Sequence, residues 1–310
     1  MEKIYAYYKL DENTTSISPY APVFASVIDG QKVVIKRTKN NPEEIPSLFD
    51  WAKKLEENHI KVVRPIAYEG QLYKAIEGEK WVVYPFIEGR SYDGSEEDIY
   101  KAGELLGRIH ALSSDESVFD YGFNWDDYIG KNSNNFFEDV RDELRDISEM
   151  HDEIIRTKPY KKLRNQIMNM LDDRFVSLLV EELPMVDATW DYKANNLVFV
   201  KDDFVLIDID NAGRIPRILD LALALILFHD EIENIPPCVF SISQWEQFKK
   251  GYLEHVTLTE VEKRLWQSYV LFAYIDEALL TLANFDIHHT ERQMLFIEDL
   301  LKFDTEKYPL

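Results

Sequence analysis

Asp191-Tyr192-Lys193-Ala194-Asn195-Asn196-Leu197-Val198-Phe199-Val200, followed after Lys201-Asp202-Asp203 by Phe204-Val205-Leu206-Ile207-Asp208-Ile209-Asp210-Asn211-Ala212-Gly213, is the stretch on which the reading of this chain turns. Leu197 to Val200 is apolar, and so is Phe204 to Ile207. The three polar residues between them predict a tight turn, so the two runs read as short strands of a hairpin. A hairpin brings its open ends together. Asp191 and Asn196 precede the first strand and Asp208 follows the second, so three oxygen-bearing side chains are expected at one spot.

Phosphoryl transfer needs such a spot. Magnesium takes oxygen ligands, commonly one or two carboxylates with phosphate oxygens and water. A separate carboxylate must face the attacking hydroxyl and accept its proton. The spacing Asp191-x-x-x-x-Asn196 followed by Asp208 matches a kinase catalytic loop and its metal-binding Asp. It casts Asp191 as base and Asn196 and Asp208 as metal ligands, with Asp210 touching a second metal or the substrate. Lys193, two residues after the base, is placed to neutralise the moving phosphoryl group. The competing reading is that Asp and Asn merely populate turns beside strands, and the rest of the chain weighs between the two.

The composition sets bounds. A chain of 310 residues, 45% hydrophobic, supports one large or two smaller domains. A formal net charge of -22 argues against nucleic acid and anionic membrane surfaces as partners, and suits a cationic small molecule. Cys238 is the only cysteine, which excludes an internal disulfide framework and points to a cytoplasmic protein. Met1 to Tyr5 has no basic region leading into an apolar one, and the longest apolar run, Leu219 to Phe228, is too short to span a bilayer and contains Asp220. Oligomeric state is not legible.

Residues 1–88 read as a strand-rich, nucleotide-binding domain. Val23 to Ile28, Asp29-Gly30 and Lys32 to Lys36 form a hairpin pattern. Lys36, at the end of a β-branched run, is the candidate for holding the α- and β-phosphates of a nucleotide. Pro46 to Glu57 has helical spacing. It carries Asp50, with Glu43 and Glu44 just before it, but no convincing acidic partner for Lys36. Val62 to Tyr68, Gln71 to Ile76 and Trp81 to Tyr84 read as strands. Tyr84 to Gly89 reads as a connector in which the Pro85 carbonyl and the Ile87 N–H are placed to read adenine.

Residues 89–310 read as helical, with the catalytic loop and substrate pocket among the helices. Ser95 caps a helix ending at His110, a residue assigned a structural part. Further helices are predicted at about 135–157, 160–180, 242–256, 258–284 and 288–306. The aromatic and acidic run Tyr121 to Tyr128 suits a loop beside a polar ligand. Asp220, alone in an apolar helix, is costly to bury without hydrogen bonds. It is predicted to accept them from the backbone of the 188–192 turn.

Taken in order, Lys36, the Tyr84–Gly89 connector, Gly103 to Leu112, Asp191 to Asn196, Ile207-Asp208 with Ala212-Gly213, and Asp220-Leu221-Ala222 resemble the aminoglycoside phosphotransferase/choline kinase-like family. The resemblance implies an α+β, two-lobed protein-kinase-like fold with a small antiparallel-sheet N-lobe and a large helical C-lobe. It also implies ATP and Mg2+ as cofactors and transfer to a small-molecule hydroxyl, of an aminoglycoside, amino-alcohol or sugar-like acceptor. Thr189 stands where the family has a His, Trp190 where Gly is common, and no glycine precedes Gly30 in the phosphate-covering region, Asn13 to Ala21. These departures support an alternative: a pseudokinase kept as a nucleotide- or ligand-binding module. Only eleven residues separate Asp208 from Asp220, too few for the peptide-binding activation segment of a protein kinase.

Overall fold

The computed structural model describes residues 2–11, 14–18, 22–112, 117–119, 140–147, 158–170, 182–232, 235, 237–283 and 291–310. The chain forms two compact units. One gathers Met1–Ser91 and Leu197–Asn211 with a short piece starting at Val118; the other gathers Tyr92–Ser117, Gly122–Asn196 and Ala212–Leu310. The predicted 121–128 loop lies outside the described residues.

The first unit opens with a short helix, α1 (Glu2–Tyr8), and a four-stranded antiparallel sheet follows. Its strands are β1 (Val23–Ile28), β2 (Gln31–Thr38), β3 (Lys74–Ile76) and β4 (Glu79–Pro85), in the order β1-β2-β4-β3. Asp29 and Gly30 both adopt positive φ, the twist that a two-residue hairpin between β1 and β2 demands. Val33 and Ile35 point into a core with Ile4, Tyr8, Phe24 and Trp81, so Val34 and Lys36 must face the other way. Helix α2 (Ile45–Glu57) lies between β2 and β3 in sequence and buries Leu48, Trp51, Ala52 and Leu55.

The decisive hairpin belongs to this unit. Strands β7 (Leu197–Val200) and β8 (Asp203–Leu206) pair antiparallel, with Leu197 opposite Leu206, and β5 (Arg90–Ser91) flanks β7. The two ends of the hairpin are therefore level. The strands expected over 62–68 and 71–76 form only in part: β3 is three residues long, and 62–68 contributes isolated contacts. Val63 N–H donates to Leu206 and Ile66 N–H to Val83, while Pro65 between them has no donor to continue a ladder.

The second unit is built on helices. Helix α3 (Glu96–Ala111) starts at Ser95, whose hydroxyl accepts the Asp98 N–H. Residues 140–147 are helical, and α4 spans Lys158–Met170. Strands β6 (Met185–Ala188) and β9 (Gly213–Pro216) pair antiparallel and frame the 189–196 loop. Then come α5 (Arg217–Leu227), α6 (Ile242–Tyr252), α7 (Glu260–Ala283) and α8 (Glu291–Lys302). Every residue of α5 from Ile218 to Leu227 is buried, so this helix, apolar on all sides except at Asp220, is the axis of the unit. Among the described residues no helix is long and apolar enough to cross a membrane.

Helices α3 and α6 cross backbone against backbone. A Cβ on Gly103 would strike the Phe248 carbonyl, one on Gly107 the Tyr252 carbonyl, and one on Gly251 the Tyr100 carbonyl. The small residues of α3 are thus a packing requirement. Gly103→Ala is expected to cost about 3 kcal/mol, because rigid backbone stands in the way. Gly30→Ala, which meets open space at φ +80, is expected to cost only about 1–2 kcal/mol from the left-handed backbone alone. Urea denaturation of the two variants would show that order.

Candidate active site

The predicted site residues fall into two groups, one in each compact unit. In the first unit, Lys36 projects from the face of β2 that it shares with Val34. Its ammonium lies 2.6 Å from Asp208 Oδ2 and 3.2 Å from Asp210 Oδ2. Asp208 Oδ1 accepts the Asp210 N–H at 3.2 Å, so the two carboxylates are held as a pair. The Tyr84 hydroxyl donates to Asp210 Oδ1 at 3.0 Å, and the Asn40 amide donates to the Asp210 carbonyl at 2.9 Å. Burial alone would drive the Lys36 ammonium toward neutrality, but Asp208 and Asp210 outweigh it and the pKa rises. Burial raises that of Asp210, Lys36 pulls it down, and Asp208 pushes it up again, for a net rise.

Lys36 therefore takes its carboxylates from beyond β8 rather than from α2. Asp50 is exposed, and Glu44 accepts the Asn41 N–H at 2.7 Å. Beside the ammonium lies an apolar patch of Val34, Val63, Val82, Tyr84, Ile87 and Ile207. Pro85 ends β4 at its edge, with Ile87 just beyond. The sequence reading missed Tyr84 and Asn40. Their signal lay in register: Tyr84 pairs with Val34, the neighbour of Lys36 on the same face.

In the second unit the 189–196 loop carries Asp191, Lys193 and Asn196. Lys193 Nζ lies 3.0 Å from Asp191 Oδ1, 2.9 Å from Glu231 Oε1 and 3.7 Å from Asp230 Oδ2. Burial disfavours this ammonium, yet Asp230, Asp191 and Glu231 together carry its pKa well above the ordinary range. Asn196 donates its amide N–H to the Asp191 carbonyl at 2.9 Å, which ties the two ends of the motif. The loop is braced from behind. Trp190, at φ +55, donates its backbone N–H to Asp220 Oδ1 at 3.0 Å, as the buried carboxylate requires. Asp220 Oδ2 in turn accepts from His110 Nε2 at 3.0 Å, and His110 Nδ1 lies 3.0 Å from the Tyr252 hydroxyl. Thr189 Oγ1 is buried and makes no hydrogen bond among the described residues.

Asp230, Glu231 and Glu277, which act on Lys193, and Asp276 beside Glu277 went unremarked in the sequence because they sit far along it from the loop, on the segment after α5 and on α7. Burial raises Asp230 to about 7, against the pull of Lys193. On α7, burial raises Asp276 to about 6, and burial with Asp276 raises Glu277 to about 8. No other feature of the sequence marks them.

Comparison with known proteins bears on the fold and the family. No curated protein matches the chain in sequence. Among solved structures, an amicoumacin kinase in complex with AMP-PNP, Ca2+ and Ami superposes with a TM-score of 0.63 at 16% identity, covering 96% of this chain and 89% of its own. A spectinomycin phosphotransferase with ADP and spectinomycin gives 0.62 at 15%, covering 94% and 92%. A choline kinase from Cryptosporidium parvum gives 0.59 at 13%, covering 95% and 88%. These likenesses establish a protein-kinase-like fold. The family model for the phosphotransferase enzyme family matches residues 21–252, most of the chain, including both groups of site residues. The chain belongs to the phosphotransferase enzyme family.

Proposed function

We propose that the chain transfers the γ-phosphoryl group of ATP to a hydroxyl of a small molecule. The observation that carries this reading is the approach of Lys36, on β2, to Asp208 and Asp210, more than 170 positions on in the sequence. An ammonium beside a carboxylate pair is what a phosphate chain with its cation needs: one charge for phosphate oxygens, the other for the metal. Asp191 accepts the proton of the acceptor hydroxyl as the new O–P bond forms and the bond to the ADP oxygen breaks. Lys193 holds Oδ1 of that carboxylate, and Oδ2 serves the hydroxyl. The Val34–Ile207 patch receives the base, with the Pro85 carbonyl and Ile87 N–H at its edge.

Asn196 and Asp208 would hold magnesium, with Asp210 as a further carboxylate. Among the described residues no three His, Cys, Asp or Glu side chains cluster as a metal site on their own. One carboxylate and one amide oxygen suit an ion that draws most of its shell from phosphates and water. The Asn196 amide nitrogen is already engaged by a carbonyl, which leaves its oxygen for a hard cation. Magnesium, when bound, spreads positive charge over the β- and γ-phosphate oxygens.

The acceptor is proposed to be cationic. Asp191 and Glu231 both face the ammonium of Lys193, the buried carboxyls of Asp230 and Glu277 can each shed a proton to a cation bound beside them, and the neighbours include kinases named for aminopropanol, ethanolamine and choline. The second reading, a pseudokinase, draws on Thr189 and on the lack of glycine before Gly30.

Thermal-shift titration with ATP and Mg2+, followed by ADP release with spectinomycin, aminopropanol, ethanolamine and choline as acceptors, separates the two. Nucleotide binding without any turnover favours the second. In the active protein, Asp191→Asn is expected to lower kcat by about 10²–10⁴. Lys36→Met is expected to raise KM for ATP roughly tenfold. Stability also carries a signature. Glu277, raised to about 8, and Asp230, raised to about 7, stay protonated in the folded chain where the unfolded chain has shed its protons. The folded state then binds more protons, so stability falls as pH climbs from the ordinary carboxylate range to about pH 8. Melting midpoints should decline through that window, and Glu277→Gln should flatten the decline.

A further inference from the structure

The 191–196 loop is fastened to the segment after α5 at three consecutive residues. Lys193 Nζ reaches Glu231 Oε1 at 2.9 Å, Ala194 N–H donates to the Phe228 carbonyl at 3.0 Å, and the Asn195 amide donates to Glu231 Oε2 at 3.1 Å. Both carboxylate oxygens of Glu231 are thus engaged by the loop, between Asp191 and Asn196. Asp230 Oδ1 accepts the Glu231 N–H at 2.7 Å and turns Oδ2 toward Lys193, so the two acids act as one holder.

That holder is itself anchored from α8. The Arg292 guanidinium donates to the carbonyls of His229, Asp230 (3.1 Å) and Ile235 (3.1 Å). Three carbonyls on one planar fork fix the course of the segment in a way that a single ammonium cannot reproduce. Arg292 lies beyond residues 21–252, the part matched by the family model, so this anchor comes from the chain's own C-terminal helices.

We propose that Glu231 is a positioning residue for phosphoryl transfer, setting the Asp191 carboxylate through Lys193, and that Arg292 fixes Glu231 by holding the carbonyls of His229, Asp230 and Ile235. The proposal rests on the kinase reading above. Lys193 bridges the base and the holder. If Glu231 lets go, the ammonium no longer fixes Oδ1 of Asp191, and the opposite oxygen no longer faces the hydroxyl at a set angle. Loss of aim at the reacting atoms lowers kcat, whereas nucleotide binding, which depends on Lys36, stays as it was.

The test measures ADP release at saturating ATP and Mg2+, using whichever of spectinomycin, aminopropanol, ethanolamine or choline supports turnover, with melting midpoints as a check of folding. Glu231→Gln and Arg292→Lys should each lower kcat roughly tenfold or more, with KM for ATP changed by less than about twofold. Because Glu231 acts through Lys193, Glu231→Gln combined with Lys193→Met should cost at least about fivefold less than the product of the single effects. Where Glu231→Gln does not fold, Glu231→Asp, which keeps the charge but shortens the reach, takes its place and should lose kcat likewise. Unchanged kcat in the Glu231 variants, or effects that simply multiply, overturns the positioning proposal while leaving the kinase reading intact. Unchanged kcat in Arg292→Lys overturns the clamp. No turnover in the unsubstituted protein with any of the four acceptors removes both readings together.

Discussion

The carboxylate of Asp220 is fully buried inside a helix whose other residues from Ile218 to Leu227 are apolar. A charge in that setting is tolerated only if its oxygens are hydrogen bonded. One oxygen takes the Trp190 backbone N–H and the other takes His110 Nε2. The need to satisfy one buried group therefore dictates the path of the loop just before Asp191, down to the positive φ of Trp190. A tryptophan held in the left-handed region is strained, and such strain persists only where surrounding contacts over-determine it. Here the contacts are Asp220 below and Gly213, over which the indole ring lies.

The close crossing of α3 and α6 belongs to the same construction. His110 lies in the last turn of α3 and Tyr252 ends α6, and their side chains meet. The glycines of that crossing let the two helix backbones approach until the His110 ring spans from Tyr252 to Asp220. Packing of the helices and placement of the loop are then one problem with one solution. Thr189, where the resembled family has a bracing His, makes no hydrogen bond through its hydroxyl among the described residues; the brace in this chain comes from the far side of the loop.

Charge is handled by a second rule. The chain carries 57 acidic against 35 basic residues, and the two lysines of the candidate site each meet several carboxylates. Lys36 faces two and Lys193 faces three. In both places the attraction outweighs the desolvation that opposes a buried ammonium. Burial pushes the carboxyls of Asp276 and Glu277 on α7 upward, and for Glu277 it outweighs the pull of Lys193.

The hairpin at 197–206 and the one at 23–38 were legible because both signals are local: apolar runs of strand length around a polar turn. The capped start of α3 and the apolar run of α5 were legible for the same reason. So was the buried Asp220, since one carboxylate in an apolar helix has few physical outcomes. The strand expected over 62–68 failed because Pro65 interrupts the donors and the segment finds its bonds singly, on β8 and β4. Asp208, Asp210 and Asp191 were legible as residues of the site, but not that the first two pair directly with Lys36, nor that Asp230 and Glu231 join Asp191 around Lys193. Asp210, Tyr84, Glu231 and Arg292 are brought to their places by sheet register and helix packing, between residues scores of positions apart, and no local pattern encodes such a meeting. Sequence by itself determined the elements and the chemical character of the loop residues, because these follow from neighbours along the chain. Only the tertiary structure decided which charge faces which, because that depends on the distances that packing sets.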